Sequence, residues 1–138
     1  MVFVIMATLV SMAAPRFSNS IALQRVEAAA RRIVVDLALA QRQARSSNAS
    51  QTVRFKPGTH EYSLVGMSHP DHLGLEYKVL LAEDPYGASI VSANFGGDAE
   101  LIFDVFGVPD SGGSVVIQVG NHVRTVTVDP VTGRATTP

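Results

Sequence analysis

Residues 1–14, MVFVIMATLVSMAA, hold no charged side chain, and apolar positions keep a helical spacing for a further thirty residues. Beyond Pro15 they fall at Leu23, Val26, Ala30, Ile33, Leu37, Ala40 and Ala44. Gaps of three and four predict one helical face with a period near 3.5. Val34 and Leu39 widen that stripe, so the helix is expected to face a sheet as well as a neighbouring helix. Pro15 removes a backbone donor and crowds the preceding turn, which predicts a kink over residues 11–14. Ser46, Ser47 and Asn48 favour turns and caps and end the helix.

From Thr52 the pattern shortens to strand period. Seven β-prone runs follow, at 52–56, 61–66, 75–81, 89–95, 99–104, 114–119 and 122–129. Turn sequences such as PGTH, EDPYG, GVPDSGG and DPVTG separate them. Gly120-Asn121 reads as a two-residue hairpin connection, the clearest strand pairing in the chain. The expected fold class is α+β. One long N-terminal helix, kinked near Pro15, packs on an antiparallel sheet or sandwich head of about seven strands, with one sheet against the helix. The expected organisation is an apolar segment at 1–22, an amphipathic helix packing on the head at 23–50, and the β-rich head at 51–138.

With 138 residues the chain supports one core. The hydrophobic share is 46% and the charged share 17%, the excess of apolar residues lying at the N-terminus. Net charge is −1 but segregated: residues 16–45 balance at +4 and residues 46–138 at −5. A basic stalk and an acidic head point to complementarity between neighbouring subunits or with anionic headgroups. Cysteine is absent, which excludes disulfides, thiolate metal sites and thiol nucleophiles.

Catalytic chemistry finds little footing. His69, Asp71 and His72 fall together in SHPDHLG, but His at i and i+3 around a proline is no established ligand spacing. His60 and His122 lie at strand starts and call for no function. Asp98, Asp104, Asp110 and Asp129 lie near turns, where aspartate caps its own backbone. Calcium in a head loop has no EF-hand-like run to hold it. No serine sits in a nucleophile elbow, and no glycine loop precedes a helix to cradle phosphate. No catalytic, cofactor or metal residue is assigned, and the chain is not expected to be an enzyme.

The segment VFVIMATLVSMAAPRFSNS at 2–20 resembles the later part of the N-terminal helix of type IV pilins and pseudopilins, with Pro15 at the family's proline position. Leu39-Ala40 followed by Ala44-Arg45 resembles the helix end of the GspH/FimT-type pseudopilins. Their closing motif is matched by Phe103-Asp104-x-x-Gly107 and a terminal Gly133-Arg134. The likeness is strong at both ends and loose over 57–98. It implies a pilin-like fold and a structural assembly subunit held in the bacterial inner membrane, its head in the periplasm or outside. It also implies filament assembly with other pilin or pseudopilin subunits and an assembly platform, and cleavage and methylation by a prepilin peptidase. By the same alignment, the leader and roughly seven mature residues are expected upstream of Met1, together with the processing site.

On this reading Val2, Phe3, Ile5, Leu9, Val10, Pro15, Phe17 and Ile21 pack in the membrane and filament core. Val26, Ile33, Val34 and Leu37 pack helix on head. A DNA-binding minor pilin for DNA uptake would use Arg124 and Arg134, which the acidic head opposes. A major pilin forming long fibres is the other alternative on the same scaffold.

Overall fold

A computed structural model describes residues 2–68, 74–83 and 85–137, with side chains from Ser20 onward, Ser68 excepted. Helix α1 spans Val2–Ser47, about 69 Å at 1.5 Å per residue. It runs unbroken through Pro15, so the proline sits inside one helix and does not separate two. Asn48 adopts φ +54°, and the Ala49 amide donates back to the Ala44 carbonyl at 3.3 Å. That is a Schellman stop built on asparagine. The Ser47 hydroxyl also turns inward, donating to the Gln43 carbonyl at 2.6 Å.

Eight strands follow: β1 Gln51–Lys56, β2 Glu61–Ser68, β3 Glu76–Leu80, β4 Ser89–Phe95, β5 Glu100–Phe103, β6 Gly113–Val119, β7 His122–Val128 and β8 Ala135–Thr136. They form two four-stranded sheets in the orders β3-β2-β1-β5 and β4-β6-β7-β8, every pair antiparallel. The strand absent from the seven-strand reading is β8. Two residues after Gly133-Arg134 give no alternation to detect, yet Ala135 and Thr136 pair with Val128 and Thr127. The β6–β7 hairpin closes on Val119↔His122, with Gly120 at φ +59°, as a type II′ turn requires of its first central residue.

Both sheets pack on α1, the first through β1 and β5 and the second through β6, β7 and β8. The single sheet expected against the helix is thus two. The widened stripe explains this: Val26, Ala29, Ala30, Ile33, Leu37, Ala40 and Ala44 are buried, with Leu23, Val34 and Leu39 packed at their margins. Between the sheets, Phe55 of β1 meets Tyr62 of β2 and Phe95 of β4, each at 5.4 Å between ring centres. His60, at φ +56°, accepts the Ile90 amide on Nδ1 at 3.0 Å. A residue assigned no function therefore ties the entry to β2 to strand β4 of the other sheet.

Candidate functional site

Two constructions on α1 fix how the helix is presented, and each draws in residues distant in sequence. The first is at the helix end. Asp104 Oδ1 accepts the amides of Phe106 (2.9 Å) and Val108 (3.0 Å), closing the turn after β5. Asp129 Oδ1 does the same for Val131 (2.7 Å) and Thr132 (3.0 Å) after β7. The Gln41 amide nitrogen, one helical turn before Arg45, donates to the Gly107 and Thr132 carbonyls, both at 2.8 Å. Arg45 Nε donates to the Phe106 carbonyl at 3.0 Å.

The helix thus clamps both closing turns, which explains why the Ala44-Arg45, Phe103-Asp104-x-x-Gly107 and Gly133-Arg134 signatures occur together. Gly107, at φ +78°, has Arg45 Nε only 2.5 Å from where a Cβ would sit. The clamped turns hold Phe106 and Val131 out at 75% exposure each. Asp129 has its pKa lowered, chiefly by the Thr132 amide and then by that of Val131.

The second construction is inside the head. Asp36 is only 1% exposed, one residue before Leu37 on the apolar face. Its carboxylate accepts the Tyr62 hydroxyl at 2.5 Å, the Tyr77 hydroxyl at 2.6 Å and Arg32 Nε at 2.9 Å. Arg32 Nη2 also donates to the Tyr77 oxygen at 3.1 Å, and its guanidinium lies 6.0 Å from that ring's centre. Burial works against the charge on Arg32, but the bond to Asp36 and its charge outweigh this and raise the Arg32 pKa. Burial raises both phenols, with the charge of Asp36 adding to it at Tyr62 and the bond to Asp36 at Tyr77. The sequence reading passed over Asp36. Its signal was an acid three residues after Ile33, on a stripe otherwise apolar.

Among the residues predicted to matter, Val26, Ile33 and Leu37 are buried, Val34 is half-buried against the core, and Ile21 is half-buried. The side chains of Val2, Phe3, Ile5, Leu9, Val10, Pro15 and Phe17 lie outside those described, as does the His69, Asp71 and His72 loop. In the run Ala28-Ala29-Ala30, Ala29 and Ala30 are buried inside the head and Ala28 faces outward. Arg124 Nη2 lies 3.3 Å from Glu27 Oε1, in a depression with Ala30, Arg31 and Thr137. Arg134 lines a depression beside the Asp129 turn. Among the described residues there is no cluster of metal-ligating side chains. Among them, too, no helix is long and apolar enough to cross a membrane.

The architecture is shared with known proteins. The minor pseudopilin EpsH of the type 2 secretion system of Vibrio cholerae superposes with a TM-score of 0.61 at 14% identity, covering 83% of this chain and 96% of that one. The type IV minor pilin FimU of Pseudomonas aeruginosa superposes at 0.58 and 13% identity, covering 83% and 89%. At such identities the likeness is one of fold. A comparison with curated protein sequences gave no significant match. The family of the type II transport protein GspH matches residues 29–133, which runs from the buried half of α1 to the clamped Gly133. This match covers well over half of the sequence, and the family is a structural, non-enzymatic one. The chain therefore belongs to the GspH family, the minor pseudopilins and pilins of type II secretion and type IV pilus systems.

Proposed function

We propose that this chain is a minor pseudopilin that is stored in the inner membrane by the N-terminal part of α1 and is then drawn into a filament by helix packing. The observation that carries this reading is the division of α1. Among the helix residues whose side chains are described, from Ser20 onward, those in the head's core lie between Ala22 and Ala44, although the helix begins at Val2. The part before Ala22 contains the uncharged run 1–14, and the part after it is locked to the head by the Asp36 and Gln41 contacts. Such an element transmits force along its axis while the head takes up a fixed orientation. Its product is placement and not turnover. The reading includes processing and methylation by a prepilin peptidase and contact with an assembly platform. The DNA-receptor alternative needs an uncompensated basic patch, and Arg124 is already paired with Glu27.

Fourteen helical residues span about 21 Å, against a hydrocarbon core of about 30 Å, so anchoring has to be tested directly. The chain, expressed with its native secretion machinery, is expected to stay in the membrane pellet through alkaline carbonate extraction. Leu9→Asp should release it, since an acid at a span's centre costs about 2.5–3.5 kcal/mol on insertion scales. Complete release of the unaltered chain by carbonate would overturn the anchoring. Packing is read by cysteine cross-linking, which the cysteine-free sequence makes clean. Ile21→Cys should cross-link to neighbouring subunits in assembled material and fail to do so when assembly is blocked.

A further inference from the structure

The outer faces of the two sheets differ in charge. On the first sheet, Arg54, Lys56, Glu61, Lys78 and Glu100 point outward and join in ion pairs across strands. Arg54 meets Glu100 at 2.7 Å, and Glu61 meets Lys56 at 3.6 Å and Lys78 at 3.7 Å. Covering that face would strip water from each of these charges. On the second sheet, all of whose strand residues are described, no outward position is charged. Its central row runs Ser92–Val116–Thr125 across β4, β6 and β7, and the rows on either side consist of serine, threonine, asparagine, glutamine and valine. The one charged side chain on those four strands, Arg124, turns to the helix and pairs with Glu27 at 3.3 Å. Val91, in the bulge of β4, is 54% exposed, and Val123 of β7 is 46% exposed.

The composition of this uncharged face limits what can cover it. Nucleic acid or an anionic lipid surface needs cations, and the face has none. A ligand held by ring stacking needs an outward aromatic side chain, and the one ring on β4, β6, β7 and β8 belongs to Phe95, which is buried. Depletion of charge is instead the mark of the buried centre of a protein–protein contact. Size narrows the partner further. Strands β4, β6 and β7 have seven residues each, and at about 3.4 Å per residue and about 4.8 Å between strands the face has a footprint of roughly 23 Å by 14 Å, on the order of 300 Å². A stable free complex takes about 800 Å² from each partner. The face alone is therefore too small to hold a free dimer or a diffusing protein, and it suits a neighbour already kept close by other contacts.

We infer that the outer face of the second sheet is a lateral contact of the head, packing on an uncharged head face of a different subunit of the same filament. Helices packed at about 8–10 Å bring heads wider than that spacing side by side, so a flank of each head is covered. The second sheet offers the flank that loses least on desolvation, because it has no charge to strip. Flat faces stacked about 10 Å apart let Val91, Val116 and Val123 interdigitate with a neighbour's side chains. A second copy of this chain meeting the same face would close a two-fold pair and occupy it, which does not suit a minor subunit set among other kinds. The face has a fixed angle to α1, because β6, β7 and β8 pack on the helix and Gln41 holds the Thr132 carbonyl between β7 and β8. The inference rests on the assembly reading above and names the side of the head that assembly covers.

The test uses the full chain in membranes with its native machinery. The photo-reactive residue benzoylphenylalanine replaces Val123, and mass spectrometry identifies what it joins on illumination. The expected product links position 123 to the head of another pseudopilin subunit, and it disappears when assembly is blocked. Val116→Lys on the same chain places a charge at the centre of the face and should lower the yield several-fold. Thr52→Lys, on the outer face of the first sheet, should leave the yield unchanged, and circular dichroism checks that both variants fold. A product made chiefly with a second copy of this chain, or with a secreted protein, overturns the inference. So does an equal loss with Thr52→Lys, or the absence of any product while Ile21→Cys still cross-links, and both of these leave the assembly reading standing. Loss of the products at 21 and 123 together, with the chain also washed from membranes, removes the assembly reading itself.

Discussion

Asp36 is a carboxylate in the middle of an apolar helix face, and its partners decide whether it stabilises the head or destabilises it. A buried acid without donors would be neutralised or expelled, because desolvation costs several kcal/mol per ion. Here two phenols and a guanidinium supply donors to both oxygens. Asp36→Ala therefore takes the acceptor from the buried Tyr62 hydroxyl, at about 1–3 kcal/mol, while Tyr77 keeps its contact with Arg32, and denaturant unfolding in detergent should show a loss of that order. Converting the group together, Asp36→Leu with Arg32→Met, Tyr62→Phe and Tyr77→Phe, should cost much less, since replacing a whole buried polar group by apolar residues of like volume is often near neutral. The phenols also set an alkaline limit. Their folded-state pKa values are raised above the ordinary value of about 10, so their contribution is fully present below that pH and is lost as pH rises towards the folded values. The melting temperature is expected to fall above about pH 10, and Tyr62→Phe should flatten that fall. At the other extreme, Asp129 is lowered, so its contribution is present above the ordinary carboxylate range and lost as pH drops below it.

Among the elements, the helix end has the most leverage, because one amide nitrogen holds two turns. Gln41→Ala removes donors from the Gly107 and Thr132 carbonyls, at about 0.5–1.5 kcal/mol each. Amide hydrogen exchange should quicken in both 104–108 and 129–134, although those segments lie far apart in sequence. Exchange that quickens in only one of them would show that the turns hold independently. Gly107→Ala should do comparable harm by another route, since it meets both a positive φ and the Arg45 side chain. This clamp was not legible from local pattern. The strands were, because alternation and turn residues are properties of neighbours in sequence; seven of eight were placed within about two residues at each end. The eighth was too short to alternate. Gln41 reaches its partners across 66 and 91 residues, and no periodicity records such a contact. The signatures at Arg45, Gly107 and Gly133 were visible as letters, but their adjacency became clear only in three dimensions. Likewise the stripe at Val26, Ile33 and Leu37 could be read as buried, yet nothing in its spacing distinguished one covering sheet from two.

For the molecule as a whole, the division of α1 makes a prediction that separates folding from assembly. Among the residues whose side chains are described, the core runs from Ala22 to Ala135, and on that basis the head is expected to hold together without the first nineteen residues. A chain beginning at Ser20 should therefore keep the melting behaviour of the head while losing retention by membranes. A chain beginning at Asn48 is a different case. It discards Val26, Ile33 and Leu37 along with four buried alanines and both constructions that fasten helix to sheets. At about 1.5–3 kcal/mol for each large apolar side chain, those three account for roughly 5–9 kcal/mol. A domain's whole stability is only about 5–15 kcal/mol. The sheets would also expose to water the faces on which the helix lay, and the edges beside them would be free to pair with other chains. The shorter fragment should be unfolded or aggregated, by circular dichroism and size-exclusion chromatography, where the longer one is folded and monodisperse. If the Asn48 fragment melted cooperatively near the temperature of the Ser20 chain, the helix would be an accessory to a self-sufficient β head. The argument that the core fixes the helix's orientation, and with it the spacing of every surface the helix presents, would then fail.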